Sequence, residues 1–336
     1  MLQKTRPFAA LAAAAALIAA VAGGARAEGL SFAPALRDVA TVVPASTTAL
    51  RLPGAVTLRP AVTPVYRRWM SPEIRTAWNA GFRGQNTRIV VVDDFTSSDR
   101  FSGNFGAGET NRRHGYWVRQ QAGMIAPAAE FRTLDYYSNE RVTARSTGLT
   151  VVNLSYGIFG RPGMPIIESE LPPQERSIIR HARLGTAVVV QAAGNDGVAV
   201  GTMEPGGDVD YLSLALIGKQ SAIFVGALDR NGTVTNKARI ESYSNRAGGR
   251  RAVQDRFLMV GVRDDVTGLA GTSFAAPIVS GYAAVLGSKF RGASATQISN
   301  RLLNTARTDT IRNYRRDVHG RGEASIGRAI APSRID

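Results

Sequence analysis

One stretch near the C-terminus, GTSFAAP at 271–277, constrains the fold more than any other part of the chain. The small and apolar run at 278–286 follows directly and predicts a helix that can be buried with close backbone approach. Ser273 then lies at the first turn, beside unpaired N–H groups and the positive end of the helix dipole. Such donors can stabilise an oxyanion. The same spacing also suits a serine that only caps a tightly packed helix.

The motif around Ser273 resembles the serine motif of the subtilisin-like serine proteases (subtilases, peptidase S8 family), whose usual form is GTSMAAPHVAG. This chain has Phe274 where the family usually has Met, and Ile278-Val279-Ser280-Gly281 completes the stretch. The resemblance implies that an Asp, a His and an Asn precede the serine in that order.

The first candidate for this series follows a β-branched run at 88–92, which predicts a buried parallel strand. The run ends in two adjacent acids, Asp93 and Asp94. In the family the orienting Asp directly follows the hydrophobic run, which implies Asp93. However, Asp94 and Phe95 stand where the family usually has Thr or Ser and then Gly, so either carboxylate remains a candidate. The pair also fits two acids that cap a loop.

The candidate base is His114, the only one of the three histidines between the Asp and Ser motifs with a matching context. His114, Gly115 and Val118 match the family's HGTHVAG pattern, whereas Tyr116 and Trp117 replace its Thr and its second His. The resemblance implies that His114 lies on a helix and acts as the general base.

Two further segments resemble the subtilase pattern. The run VVVQAAGN at 188–195 implies Asn195 as the oxyanion ligand, because an amide N–H2 can donate without carrying charge. Taken alone, the same asparagine also fits an ordinary turn. The run TVVNLSYG at 150–157 resembles the segment that lines the pocket for the side chain before the cut bond. It implies Ser155, Tyr156 and Gly157 as substrate-binding residues.

Strands alternate with helices along the chain, which predicts an α/β fold with a mainly parallel central sheet and helices on both faces. The motif residues fall at strand ends and helix starts, where open α/β sheets place their sites. The resemblance spans residues 67–330 and implies the three-layer subtilisin-like fold, so we interpret residues 66–336 as a subtilase-like peptidase domain.

The N-terminal residues have a different composition. Lys4 and Arg6 precede an apolar run at 8–22 and a small-residue site at 25–27, which predicts a signal peptide over residues 1–27 and an exported protein, periplasmic or secreted. Residues 28–65 carry five prolines and predict a Pro/Ala-rich extended arm. No later segment is apolar enough to span a bilayer.

Composition excludes some functions. The absence of cysteine excludes disulfides and thiolate metal sites. The net charge of +15 comes almost entirely from arginine, since only four of the 41 basic residues are lysine. These arginines are scattered rather than clustered with aromatic residues, so we expect a solvated basic surface and no nucleic-acid partner. Attraction of this surface to anionic envelopes or acidic substrates is the alternative.

The resemblance implies an exported serine endopeptidase that acts on polypeptides through an acyl-enzyme intermediate. Ser273 would attack the peptide carbonyl, His114 would transfer the proton, Asp93 would orient the imidazole, and Asn195 would bind the oxyanion. No cofactor is required. Family members often bind structural calcium, but no acid cluster marks such a site here, and we expect a monomer. The alternative is an exported pseudo-protease of the same fold that binds peptides without cleaving them.

Overall fold

The computed structural model describes residues 4–7 and 63–335. The apolar run at 8–22, the cleavage site expected after Ala27 and most of the arm at 28–65 lie outside the described residues. The signal peptide and the arm therefore stay predictions.

The described strands are short, and five of the eleven lie outside the central sheet. In chain order they are β1 (Lys4–Pro7), β2 (Arg88–Asp93), β3 (Phe101–Gly103), β4 (Thr110–Arg112), β5 (Glu130–Asp135), β6 (Thr150–Leu154), β7 (Tyr156–Gly160), β8 (Val188–Ala192), β9 (Val209–Asp210), β10 (Ala222–Leu228) and β11 (Phe257–Gly261).

The central sheet has six strands in the order β11-β10-β8-β6-β2-β5, and every neighbouring pair is parallel. From β2 the chain crosses to β5 on one side, and it then returns to β6 on the other side. This reversal makes the gap between β2 and β6 the topological switch point, the place where open α/β sheets carry their sites.

The described α-helices vary from one turn to four turns in length. They are α1 (Ile74–Asn79), α2 (His114–Ile125), α3 (Pro173–Leu184), α4 (Tyr211–Leu216), α5 (Arg251–Gln254), α6 (Asp264–Thr267), α7 (Ala276–Lys289), α8 (Ala295–Asn304), α9 (Arg316–His319) and α10 (Ile326–Ile330).

Two apolar cores lie on opposite faces of the sheet. Along β2, Ile89 and Val91 face one core, and Val90 and Val92 face the other, as the twofold alternation of a strand requires. Helices α1, α2, α7, α8 and α10 cover the first face, and α3, α4 and α5 cover the second. The predicted three-layer α/β fold with a mainly parallel sheet is therefore confirmed.

Helix α7 is buried along all but its last residue, in keeping with its small side chains. A Cβ atom added at Gly281 would lie 2.4 Å from Ile125 Cγ2, so only glycine allows α7 to pack this closely against the end of α2. The helix that follows the GTS motif is thus held directly against the helix that begins at His114.

Smaller elements surround this core. β7 lies between β1 and β9 in a three-stranded antiparallel sheet, and β3 and β4 form a hairpin. Within the part of the chain that the structure describes, no helix is long and apolar enough to cross a membrane.

The first helix begins later than the sequence predicts. The sequence predicts Ser71 as the N-cap, Pro72 as the first helical residue and Glu73 in the first turn, but α1 begins at Ile74. The carboxylate of Glu73, expected in its first turn, instead accepts hydrogen bonds from Ser325 Oγ at 2.8 Å and Gly327 N at 3.0 Å. The Glu73 carboxylate, which the local pattern places in the first turn of α1, therefore binds the distant C-terminal segment instead.

Glu323 makes the stability of this fold depend on pH. Glu323 is 7% exposed, and burial raises the pKa of its carboxyl group from 4.5 to about 7. The folded protein therefore keeps a proton that the unfolded chain has already lost, and stability falls as the pH rises from 4.5 to about 7. A shift of this size corresponds to about 3 kcal/mol.

We expect Glu323→Gln to raise the free energy of unfolding at pH 8 and to change it little at pH 5. The amide keeps an oxygen that can accept the 2.9 Å hydrogen bond from Gly232 N, and it has no charge to bury. Urea unfolding at both pH values measures the difference, with exposed Glu170→Gln as the control. Equal effects of Glu323→Gln at pH 5 and pH 8 would contradict the assignment.

Candidate active site

The candidate residues meet at the carboxyl ends of β2, β6 and β8. Asp93 is the last residue of β2, and Ser155 directly follows β6. Because Val92 pairs with Leu154, these two strands end level with each other at the switch point. Asn195 lies three residues beyond the end of β8, the strand next to β6.

Asp93 lies against His114. A hydrogen bond of 2.6 Å joins Asp93 Oδ1 to His114 Nδ1, and both side chains are buried. Burial raises the pKa of Asp93, while the charge and hydrogen bond of His114 oppose that rise. The imidazole and the carboxylate thus form a pair from which water is excluded.

Gly115 allows the start of α2 to lie close to the end of β2. Gly115 N donates to Asp94 O at 3.0 Å, and a Cβ atom at position 115 would lie 2.7 Å from that oxygen. Any larger residue would push the start of α2 away from the end of β2. The glycine that the family pattern places after the histidine therefore has a steric reason here.

Asp94 serves the loop that follows the strand. Its Oδ1 atom accepts from Thr96 N at 3.1 Å and Ser97 N at 2.8 Å, and its Oδ2 atom accepts from Ser97 Oγ. These bonds close a turn after β2. Of the two adjacent carboxylates, the structure brings Asp93 to the imidazole and gives Asp94 a loop-capping position.

Ser273 lies in a short 3-10 turn, Thr272–Phe274, directly before α7. Pro277 is in the first turn of α7, as its missing N–H predicts. Ser273 Oγ donates to Ser155 O at 3.3 Å, and Ser155 Oγ donates to Ser273 O at 3.0 Å. This reciprocal pair fixes the backbone of the serine motif against the end of β6.

Asn195 is held by the same motif. Its Oδ1 atom accepts from Thr272 N at 2.8 Å and from Thr272 Oγ1 at 2.9 Å. Because the amide oxygen of Asn195 faces Thr272, its N–H2 group points away from Thr272. Gly271 has φ 121°, and a Cβ atom there would lie 3.1 Å from Asn195 Nδ2, so glycine admits the amide at this point.

The predicted substrate-binding segment is not one continuous strand. It divides at Ser155 into β6, in the central sheet, and β7, in the small antiparallel sheet. The Tyr156 side chain packs in the second core, where its hydroxyl lies 3.1 Å from Glu175 Oε1. Tyr156 and Gly157 are therefore available to a bound peptide only through the backbone of β7.

Sequence reasoning missed the residues that support the site. Thr272 anchors Asn195, and Ser155 is hydrogen-bonded to Ser273, although it was expected only to contact substrate. Phe101 lies against His114, with ring centroids 5.6 Å apart. Thr272 could have been found from its place in the GTS motif, but no local pattern marks Phe101.

Among the described residues, no three His, Asp or Glu side chains lie together as metal ligands would.

A parallel α/β sheet with these Asp, His, Asn and Ser side chains at the carboxyl ends of its strands is the arrangement that the subtilase resemblance implies. A family model described as the subtilase family, Peptidase_S8, matches residues 125–322. This match includes Asn195 and Ser273, and it begins after Asp93 and His114. The chain belongs to the subtilase family.

One curated relative and one solved structure are similar to this chain. Subtilisin DY of Bacillus licheniformis is 33% identical over 166 residues, which is 48% of this chain and 52% of that protein. The chain thus spans about half the length of the curated relative it matches. The solved structure of the prenylagaramide maturation protease PagA has a TM-score of 0.53 at 19% identity, covering 77% of this chain and 98% of that one, and it supports the fold alone.

The two adjacent acids give a direct test. We expect Asp93→Asn to lower the turnover of a peptide substrate by roughly 10⁴, because an amide favours the wrong imidazole tautomer. Asp94→Asn keeps an acceptor oxygen for the loop and should cost far less. Turnover is measured together with the urea unfolding midpoint of each variant, which separates a catalytic loss from instability. The opposite ranking would move the orienting acid by one residue.

Proposed function

We propose that this protein is an exported serine endopeptidase that hydrolyses peptide bonds in polypeptides through Asp93, His114 and Ser273. The observation that carries the proposal is the 2.6 Å contact between Asp93 and the imidazole of His114. It lies in a buried site that also holds Ser273. Membership of the subtilase family supports the same reaction, and the leader predicted at 1–27 supports export.

The reaction begins with a rotation of Ser273 Oγ from the carbonyl of Ser155 towards His114. The Nε2 atom of His114 is buried and has no hydrogen-bond partner among the described residues, so it is available to accept the hydroxyl proton. The oxygen of Ser273 then attacks the peptide carbonyl, and Asp93 stabilises the imidazolium through Nδ1.

The oxyanion that forms in this step needs donors aimed at it. The N–H2 group of Asn195 and the backbone N–H of Ser273 supply them, and Thr272 holds the Asn195 amide in orientation before substrate binds. His114 next protonates the leaving amine, which leaves an acyl group on Ser273. Water, activated by the same histidine, hydrolyses that ester. This chemistry needs no cofactor.

The polypeptide substrate binds as an extended strand along β7, where backbone hydrogen bonds supply affinity. One edge of β7 is occupied by β9. The other edge carries β1, antiparallel, with Lys4 opposite Ile158 and Pro7 opposite Tyr156. A substrate strand would take the place of β1, and removal of the predicted signal peptide would vacate that edge.

Labelling of the serine tests the proposed mechanism. We expect a fluorophosphonate probe to label the protein and Ser273→Ala to abolish both labelling and peptide hydrolysis, since the reagent reacts with an activated serine. Ser288→Ala, which removes another buried hydroxyl in α7, is the matched control and should keep both. A folded protein that binds peptide but is not labelled would instead be the pseudo-protease.

Occupation of β7 by β1 gives a kinetic prediction. We expect the chain that begins at Glu28 to have a lower KM for a peptide substrate than the full chain, because β1 no longer competes for the edge. The value of kcat should not change. Steady-state kinetics on both chains measure KM and kcat. Labelling with the fluorophosphonate probe gives the concentration of active sites in each sample. An equal KM for the two chains would show that β1 does not block peptide binding.

A further inference from the structure

The imidazole of His114 contacts two phenyl rings. Phe101 meets it edge-to-face, with centroids 5.6 Å apart and an interplanar angle of 72°. Phe274 meets it at 5.5 Å with an angle of 54°. Asp93 holds Nδ1, but one hydrogen bond at one corner does not fix the plane of the ring. The two aromatic contacts restrict the rotation that this bond leaves free.

The Phe274 ring is held by the serine motif itself. Phe274 is 1% exposed and directly follows Ser273, and its backbone N–H donates to Gly271 O at 3.0 Å. This side of the imidazole is therefore fixed relative to the nucleophile.

Phe101 is held by the helix that carries His114. It lies on β3, and its carbonyl accepts a hydrogen bond from Trp117 Nε1 at 2.8 Å. Trp117 is three residues after His114 on α2 and is 1% exposed. It is itself packed edge-to-face against Phe105, with centroids 5.2 Å apart. Trp117 thus anchors Phe101 over the histidine of its own helix.

Trp117 and Phe274 both differ from the residues that are usual in the family. Trp117 replaces the second His of the family pattern, and Phe274 replaces the Met after the serine. The proposed triad does not use either aromatic side chain. Both departures are explained if they act together on the imidazole.

We propose that Phe101 and Phe274 form an aromatic clamp that holds the plane of the His114 imidazole and keeps water from its faces. Phe101 is a positioning residue, and Trp117 is its anchor. This inference rests on the proposed function, in which His114 must meet Ser273 Oγ through Nε2. Since a misplacement of about 1 Å can cost roughly 10²-fold in rate, loss of one ring affects the chemical step.

Kinetics of ring-deleting variants test the clamp. We expect Phe101→Leu to lower kcat by roughly 10- to 100-fold with little change in KM, because the clamp acts on the base and not on peptide binding. Phe101→Tyr should restore kcat, since it keeps the ring and Phe101 is only partly buried. Phe131→Leu is the matched control: Phe131 is also partly buried against the same core, and it lies on β5. It should leave kcat unchanged.

A second variant addresses the anchor. Trp117→Phe keeps an aromatic ring but removes the donor to the Phe101 carbonyl, so we expect a smaller fall in kcat than for Phe101→Leu. If Phe101→Leu does not fold, this variant carries the same test. An unchanged kcat in a folded Phe101→Leu or Trp117→Phe protein would overturn the clamp.

Proton NMR separates the clamp from the proposed activity. In a Ser273→Ala background, which cannot turn over substrate, the Nδ1 proton shared with Asp93 should exchange slowly with water. Adding Phe101→Leu should accelerate that exchange, whereas adding Phe131→Leu should not. Faster exchange in this background, together with a parent protein that retains Ser273 and is not labelled by the probe, would refute the endopeptidase and keep the clamp. Unchanged exchange would refute the clamp.

Discussion

The close packing of α7 against α2 is the constraint on which the site depends. A Cβ atom at position 281 would overlap the side chain of Ile125, so the backbone of α7 lies directly against a side chain of α2. The first residue of α2 is His114, and Ser273 directly precedes α7. Small residues along a buried helix therefore determine the separation of a proposed base and nucleophile that are far apart in sequence.

A line of buried hydrogen bonds then ties α7 to the sheet. Ser280 Oγ donates to Asn153 Oδ1 at 2.9 Å, and Asn153 Nδ2 donates to Ser155 Oγ at 3.0 Å. Ser155 Oγ in turn donates to Ser273 O. Since unsatisfied polar groups are costly in a core, this line has few alternative arrangements. It connects the middle of α7, the end of β6 and the serine turn, and it gives Ser155 a structural position besides its expected contact with substrate.

The surroundings of His114 differ from the usual family pattern, whereas the candidate residues themselves match it. The hairpin β3–β4 follows Asp93 and precedes His114 in the chain, and Phe101 returns from it to the imidazole. Trp117 secures that return from α2. The segment between Asp93 and His114 thus contributes Phe101 to the surroundings of the imidazole. Trp117, which replaces the usual family residue, holds Phe101 there.

The sequence by itself indicated the α/β class with its mainly parallel sheet and the candidate residues, because these depend on local pattern and on the order of the motifs. The β-branched run before Asp93 predicted β2, and the order of the motifs indicated one of the two adjacent acids, His114, Asn195 and Ser273. Only the tertiary structure distinguished Asp93 from Asp94, since the two carboxylates are chemically identical and differ only in direction. It alone showed the contact of Phe101 with His114 and the division of residues 150–157 at Ser155, because both result from packing between distant segments that no local period encodes.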